Sequence, residues 1–330
     1  MDNILNEITK AKKIAIFSHV APDADALCSS FALKNLIKYN FENKFVDVFN
    51  DGPIGDLYDQ ILKDEVINPK QYNNYDLAIV LDCPKLDRIG KCQEIIKDIP
   101  TIINIDHHAT NEKFGSKAPL NIISPASSST CEVVYLMAKG HGLKINSTIA
   151  KQIYQGIITD TNCFSTFSTT GITHQVVAEL CKYKFDSNAI KKYYFKNNSL
   201  TKTKLMSAAL ASLKLYKGAK LITMKIPYKI FEENNATFDD TLGIVNNAIN
   251  VGEAEISAIL IESEQNKIHV SLRSKGNINA GEIAKKLGGG GGVEGAAYQT
   301  TGDIKEIEKQ LCSVIAPYLN KNSQKEEIIF

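Results

Sequence analysis

The chain has 330 residues, 44% hydrophobic and 23% charged, the composition of an ordinary globular protein rather than of a disordered or membrane-embedded one. Lys and Arg (38) nearly balance Asp and Glu (37), leaving a formal charge of +1, too weak a field to grip long duplex nucleic acid through counterion release. That balance still allows a local basic pocket for a small phosphorylated ligand.

The length suits two domains, each with its own core. The seven cysteines (Cys28, Cys83, Cys92, Cys131, Cys163, Cys181 and Cys312) are odd in number and lack a C-x-x-C pair. They form neither a disulfide framework nor a zinc-ribbon pattern. The run Ile14 to Phe17 is far too short for a signal peptide, and no stretch approaches the roughly 20 apolar residues of a membrane span. A cytoplasmic location is therefore expected, with no membrane partner.

In chain order, Ile14 to Phe17 reads as a strand that leads through His19, Pro22, Asp23 and Asp25 into a helix over Leu27–Tyr39. Its residues Leu27, Phe31, Leu33, Leu36 and Ile37 repeat at helical spacing. Asp25 stands at the expected N-cap, and His19, Asp23 and Asp25 together fit a ligand loop at a strand end. Phe45 to Phe49 is the next strand, closed by the turn Asn50-Asp51-Gly52-Pro53. The continuous run Leu77 to Leu81 is of the buried parallel type and ends on Asp82. Arg88 follows shortly, placed either to reach a phosphate or to pair on the surface. A further apolar run, Thr101 to Ile105, ends on Asp106-His107-His108. Three imidazole or carboxylate groups in a row are costly at the end of a buried strand unless hydrogen-bonded or bound to a cation.

Ser129-x-x-Glu132 resembles a capping box opening a helix through Met137, which Gly140-His141-Gly142 ends. A second helix runs from Ser147 through Ile158, with Asp160 at its exit. His174 is expected on a surface helix face. The pattern of an apolar run followed by an acid or a histidine recurs at His19, Asp82 and Asp106–His108. Ligands bind just outside the C-terminal ends of strands in open α/β sheets, so the pattern gathers these residues into one crevice.

The first domain is expected to end near residue 185. The lysine- and asparagine-rich stretch 186–215 reads as a helical connector, 216–320 as a second, smaller α/β domain, and 321–330 as a frayed tail. Strands are expected at Ala219–Ile226, Ala254–Ile261 and Lys267–Arg273, helices at Ala280–Leu287 and Asp303–Leu319. The five glycines Gly288 to Gly292 lie inside this domain, so an anion-binding nest of backbone N–H groups is favoured over a linker. With no G-K-[ST] continuation, they are not a Walker-type loop. Arg273, on the preceding strand, offers a forked phosphate contact.

The candidate ligands are His19, Asp23, Asp25, Asp82, His107 and Asp160. Four carboxylates and two imidazoles exceed what one ion needs, and an oxygen-rich mixed set suits Mn²⁺ or Mg²⁺. Two such ions about 3.5–4 Å apart clamp the attacking and leaving oxygens of a displacement at phosphorus. The residues themselves thus point to a metal-dependent phosphoesterase.

Seven segments carry a closer likeness: His19-VAP-Asp23-A-Asp25-A, LDCPKLDR (81–88), NIDHHATN (104–111), PASSSTCE (125–132), GIITDT (156–161), SLRSKG (271–276) and GGGGGVEGAA (288–297). With them the chain resembles the DHH phosphoesterase family, of the branch with a C-terminal DHH-associated domain and of the nano-RNase and pAp phosphatase type (pAp is 3′-phosphoadenosine 5′-phosphate). The resemblance implies a doubly wound, mainly parallel DHH domain over 1–185, a smaller C-terminal α/β domain, and catalysis in the cleft between them. It implies two divalent cations, Mn²⁺ before Mg²⁺: one on His19, Asp23 and Asp82, the other on Asp25, Asp82, His107 and Asp160. Asp106 would orient ligands and His108 would contact the substrate phosphoryl group or leaving oxygen. Arg273, Ser274 and Gly289, Gly290, Gly291 and Gly292 would bind the far phosphate, with Arg88 a weaker candidate. The family's loop usually continues into histidine and then A-A-G. Gly292 stands at the histidine position here, and Gly295-Ala296-Ala297 at the other three.

The implied activity is hydrolysis of pAp to AMP and of very short RNA to mononucleotides; a homodimer is compatible with it. Competing readings are a cyclic- or linear-dinucleotide phosphodiesterase, a RecJ-like single-strand exonuclease, which the neutral charge disfavours, and a non-catalytic nucleotide-binding protein.

Overall fold

Five short runs in the first half of the chain assemble into a wholly parallel sheet: β1 (Lys13–Phe17), β2 (Phe45–Phe49), β3 (Leu77–Leu81), β4 (Ile102–Asp106) and β5 (Asn121–Ile123). The computed structural model describes residues 2–63, 65–69, 74–218 and 220–322. Two units separate, Met1–Asn197 and Asn198–Phe330.

β3 reads as a continuous, fully buried apolar run because both faces of the sheet are covered there. Ile14, Ile16, Leu77, Ile79, Leu81, Ile103 and Ile105 enter one core with the helices Ala24–Asn40, Thr130–Gly140 and Ser147–Asp160. Ala15, Phe17, Ala78 and Val80 enter the other with Ile89, Cys92 and Ile96, where Phe17 stacks on Phe49 at 5.5 Å. Strand order is β2-β1-β3-β4-β5. The chain leaves β1 for β2 on one side, and β3 lies on the other. A doubly wound sheet of this order opens a crevice at the β1/β3 switch point, beyond the C-terminal strand ends. His19 follows β1, Asp82 follows β3 and Asp106 ends β4, so the winding itself gathers them.

Two local expectations need correction. The N-cap of the helix Ala24–Asn40 is Asp23, whose Oδ1 accepts from Ala26 N at 3.0 Å, while Asp25 lies within the first turn. The capping box at Ser129 is half formed. Ser129 Oγ accepts from Glu132 N at 3.0 Å, but the Glu132 carboxylate turns to Ser128 Oγ at 2.5 Å instead of the N-cap backbone. The stretch 186–215 is helical in part, and the two units divide within it, between Asn197 and Asn198. The helix Ser187–Phe195 joins the first core through Ile190, and the helix Leu200–Ala211 joins a core of the second unit through Leu205 and Ala209.

The second unit is a mixed sheet in the order β10-β11-β9-β8-β7-β6, formed by β6 (Lys214–Tyr216), β7 (Leu221–Ile226), β8 (Ile256–Glu264), β9 (Lys267–Ser274), β10 (Gly290–Gly291) and β11 (Gly295–Thr301). Only β7 and β8 pair in parallel. Leu260, Val270 and Leu272 face the helices Ala280–Lys286 and Ile304–Asn322, while Met224, Ile226 and Ile259 face the helix Leu200–Ala211. The expected strand start Ala219 and the tail beyond residue 322 lie outside the described residues.

Part of the glycine run is strand rather than linker. Gly290 and Gly291 pair antiparallel with Ala297 and Ala296. A Cβ on Gly289 would meet Ala297 O at 2.2 Å, and one on Gly291, at φ +147°, would meet Ala296 Cα at 2.4 Å. Packing therefore requires glycine at those two positions. Three of the run's N–H groups are also used internally: Gly288 donates to Lys285 O, Gly289 to Ala284 O and Gly292 to Gly295 O.

Candidate metal centre

Eight acidic and imidazole side chains, all drawn from strand ends and helix termini of the first unit, fall into three overlapping groups: His19, Asp23 and Asp82; Asp25, His107 and Asp160; Asp82, Asp106, His107 and His108. Within each group the potential ligand atoms lie within 4.8 Å of one another.

Asp82 is the pivot. Its Oδ2 lies 3.7 Å from His19 Nε2, and its Oδ1 lies 3.6 Å from both His107 Nε2 and His108 Nδ1. His107 Nε2 is also 3.6 Å from Asp160 Oδ2. These separations are too long for hydrogen bonds. Two donors about 2.1 Å from a shared ion, subtending about 90–120°, sit roughly 3.0–3.6 Å apart, so the spacing fits ligands around divalent cations. Asp82 is 2% exposed and sits at φ +53°, the left-handed region that non-glycine residues rarely occupy. Strain of this kind, on the order of 1–3 kcal/mol, persists where surrounding structure over-determines it. Here Asp82 N donates to Ile105 O, and Thr130 Oγ1 donates to Asp82 Oδ1 at 3.0 Å.

The imidazoles are oriented by their second nitrogens. His19 Nδ1 lies 2.9 Å from Val20 O, and since a carbonyl only accepts, Nδ1 carries a proton and Nε2 is turned toward Asp82. His107 bonds to the Ser127 backbone while its Nε2 faces Asp82 and Asp160. His108 Nδ1 donates to Asp106 Oδ1 at 2.7 Å, which turns the opposite edge of a ring 40% exposed toward solvent. Asp106 is fully buried and saturated: it also accepts from His107 N, His108 N and, at 2.7 Å, from Asn111 Nδ2.

Asp25 serves a helix other than its own. Its Oδ2 accepts from Thr130 N at 2.7 Å and its Oδ1 from Cys131 N at 3.0 Å, the first two N–H groups of the helix Thr130–Gly140. The approach of the helix Ser147–Asp160 depends on Gly156, where a Cβ would meet Cys131 Sγ at 2.2 Å and Asp25 Oδ1 at 2.6 Å. Asp160, in the last turn of that helix, is thereby carried to His107.

Electrostatics show a cluster short of positive charge. Burial and then the Asp82 charge push Asp25 up to about 7. Crowding by the surrounding protein and the Asp82 charge push Asp23, though exposed, upward, and the same desolvation with the Asp25, Asp23 and Asp82 charges pushes Asp160 well upward. Burial would raise Asp82 also, but the imidazoles of His19, His107 and His108 outweigh it and hold Asp82 at about 2. His19, His107 and His108 are raised, since the surrounding carboxylates outweigh the desolvation that would lower them. A divalent cation relieves the carboxylate repulsion that protons otherwise relieve, so the donor set fits such an ion.

Arg88 is exposed, with its carbonyl accepting from Val20 N. Arg273, Ser274 and Gly289–Gly292 belong to the second unit. Arg273 Nε donates to Asn246 Oδ1 at 3.2 Å and its Nη1 to Leu272 O, and burial alone draws its pKa down. Sequence reading missed Thr130 and Asn111, which hold Asp82 and Asp106. Both stand inside the motifs PASSSTCE and NIDHHATN, the available signal. Asn50, expected only as a turn residue, donates from Nδ2 to His19 O at 2.7 Å.

Residues 13–157 match the DHH family, N-terminal domain, and residues 218–319 match the DHHA1 domain. The probable bifunctional oligoribonuclease and PAP phosphatase NrnA of Streptococcus mutans is 29% identical, over 94% of this chain and 98% of its own. The cyclic-di-AMP phosphodiesterase GdpP of Bacillus subtilis is 26% identical, over 96% of this chain and 50% of its own. The crystal structure of an exopolyphosphatase-related protein from Bacteroides fragilis, 26% identical, aligns with a TM-score of 0.86 over 97% of this chain and 95% of that one. Two matched domains in succession, the first containing His19, Asp82 and the Asp106-His107-His108 run, place the chain in the DHH family as a phosphoesterase hydrolase with a DHHA1 domain.

Proposed function

We propose that this hydrolase acts on small nucleotides, removing phosphate from pAp to leave AMP and trimming very short RNA to mononucleotides. The observation that carries the reading is the division of Asp82, whose two oxygens face His19 on one side and His107 on the other. In this reading one cation is held by His19, Asp23 and Asp82, and another by Asp25, Asp82, His107 and Asp160. Mn²⁺ is favoured over Mg²⁺ by the imidazoles. When bound, the pair supplies Lewis acidity to the phosphoryl group and lowers the pKa of water.

The chain's own residues do the rest. Asp106 fixes the His108 ring with its Nδ1 proton inward, so the opposite nitrogen meets the phosphoryl or leaving oxygen as a hydrogen-bond donor. The Asp106 and Asp82 carboxylates outweigh desolvation and raise the His108 pKa, which favours the protonated ring that donates from that nitrogen. Arg273, with no acidic group shifting its pKa, offers its guanidinium to a second phosphate beside Ser274 and Gly289–Gly292. The likeness to the S. mutans relative supports this substrate class. The likeness to GdpP favours dinucleotides as a second reading.

The test is release of phosphate and AMP from pAp, beside trimming of a 5′-labelled RNA trinucleotide and cleavage of cyclic di-AMP, all with Mn²⁺. Release from pAp and the trinucleotide with cyclic di-AMP untouched supports the proposal. Cleavage of cyclic di-AMP alone would replace it with the second reading.

A further inference from the structure

Beside the carboxylates of Asp23, Asp25 and Asp160 the first unit holds a cavity of about 210 Å³, also lined by Leu57, Tyr58, Tyr194 and Phe195. The metal cluster gives no use to this aromatic wall. It is built from two segments far apart in sequence, Asp56–Tyr58 and the helix Ser187–Phe195. Tyr194 is anchored rather than loose: its Oη accepts from Gln155 Nε2 at 3.3 Å, and its ring packs edge-on to Tyr193 at 5.2 Å. Tyr58, Tyr194 and Phe195 are nevertheless only partly buried, and Leu57 remains 44% exposed.

A ligand that satisfies both groups must combine a cation-coordinated anionic end with a flat, weakly polar body. A sugar phosphate alone would leave the rings wet, whereas a purine or pyrimidine offers a π-face to stack against them. We infer that this cavity takes the base of the nucleotide whose phosphate the Asp82 cluster handles, with Tyr194 as the stacking platform and Tyr58 and Phe195 at its flanks. The inference rests on the phosphoesterase reading above. It assigns base recognition to the DHH unit and explains why a chain of near-zero net charge can prefer nucleotides over other phosphate esters.

The test is calorimetric titration of the full, Mg²⁺-loaded chain with AMP and with ribose 5-phosphate. Wild type is expected to bind AMP at least about tenfold more tightly, the scale of one stacked base. Tyr194→Ala should bring AMP close to ribose 5-phosphate while leaving the latter unchanged. Leu57→Ala, at an exposed position where folding is not at stake, should weaken AMP severalfold. Equal affinity of wild type for the two ligands, or unchanged AMP binding in both variants, would overturn the inference. Preference for AMP without release of product from any nucleotide leaves the base pocket standing and overturns the hydrolase reading. Turnover without base preference overturns the pocket alone.

Discussion

His108 and His107 are neighbours in sequence with different partners. His107 points its Nε2 at Asp82 and Asp160, whereas His108 is held through Nδ1 by Asp106 and is the more exposed of the two. Replacing His108 by alanine is expected to leave metal stoichiometry intact and to lower kcat by about 10²–10⁴, the usual contribution of a positioned acid. Since the His108 pKa lies above its ordinary value, wild-type kcat should fall as pH rises through that raised pKa, and the variant's profile should lose this limb. A pH–rate profile with metal analysis checks both; an unchanged limb would remove His108 from proton transfer. At this scale the motif residues were legible, because an acid or imidazole after an apolar run is conspicuous. Their supports were not. Thr130 and Asn111 are ordinary polar residues whose roles exist only once the helix Thr130–Gly140 and the loop after β4 are folded.

Secondary elements bring these side chains together, and one close contact controls the fit. Gly156 lets the helix Ser147–Asp160 lie against Asp25 and Cys131, with no room for a methyl group. Gly156→Ala is expected to cost about 1–3 kcal/mol, as overpacking does, and to weaken metal binding by displacing Asp25 and Asp160 together. Thermal melting with a Mn²⁺ titration reads both effects; a variant as stable as wild type with unaltered binding would contradict the contact. The sheet of the first unit was largely legible, since β3 is an unbroken apolar run and β1 and β4 are mostly apolar. β11 was not, because Gly-Ala-Ala-Tyr-Gln-Thr-Thr has few large apolar residues and is a strand by virtue of pairing with β9 along its whole length. The left-handed turn Asn162, Cys163 and Phe164 after Asp160 was equally hidden. Only an asparagine advertises that conformation, and the turn is held by the Thr161 hydroxyl, which accepts from Phe164 N.

At the scale of the molecule, the cluster couples folding to pH and to cations. Asp25 has a folded-state pKa of about 7, above its unfolded value, and Asp23 and Asp160 are raised as well. Folded chain therefore binds more protons than unfolded chain above about pH 4, and the stability these groups contribute is lost as pH rises toward 7. The raised His19 and His107 act in the same sense, their contribution being lost as pH rises through their folded-state values. Asp82, held at about 2, acts oppositely, but only below its unfolded value near pH 4. Metal-stripped protein should thus lose melting temperature between pH 5 and pH 8, and Mn²⁺ should restore it most at pH 8, where it displaces the fewest protons. Equal stabilisation by Mn²⁺ at both pH values would contradict this coupling. Among the described residues no helix is long and apolar enough to cross a membrane.

The most direct test of the account is the number of Mn²⁺ ions bound per chain, by titration and elemental analysis, for wild type and for Asp82→Ala. Two ions in wild type are predicted. A bridging Asp82 further predicts that the variant binds neither tightly and hydrolyses neither pAp nor the RNA trinucleotide. An Asp82→Ala protein that is folded, retains two ions and turns over substrate at the wild-type rate would contradict the account.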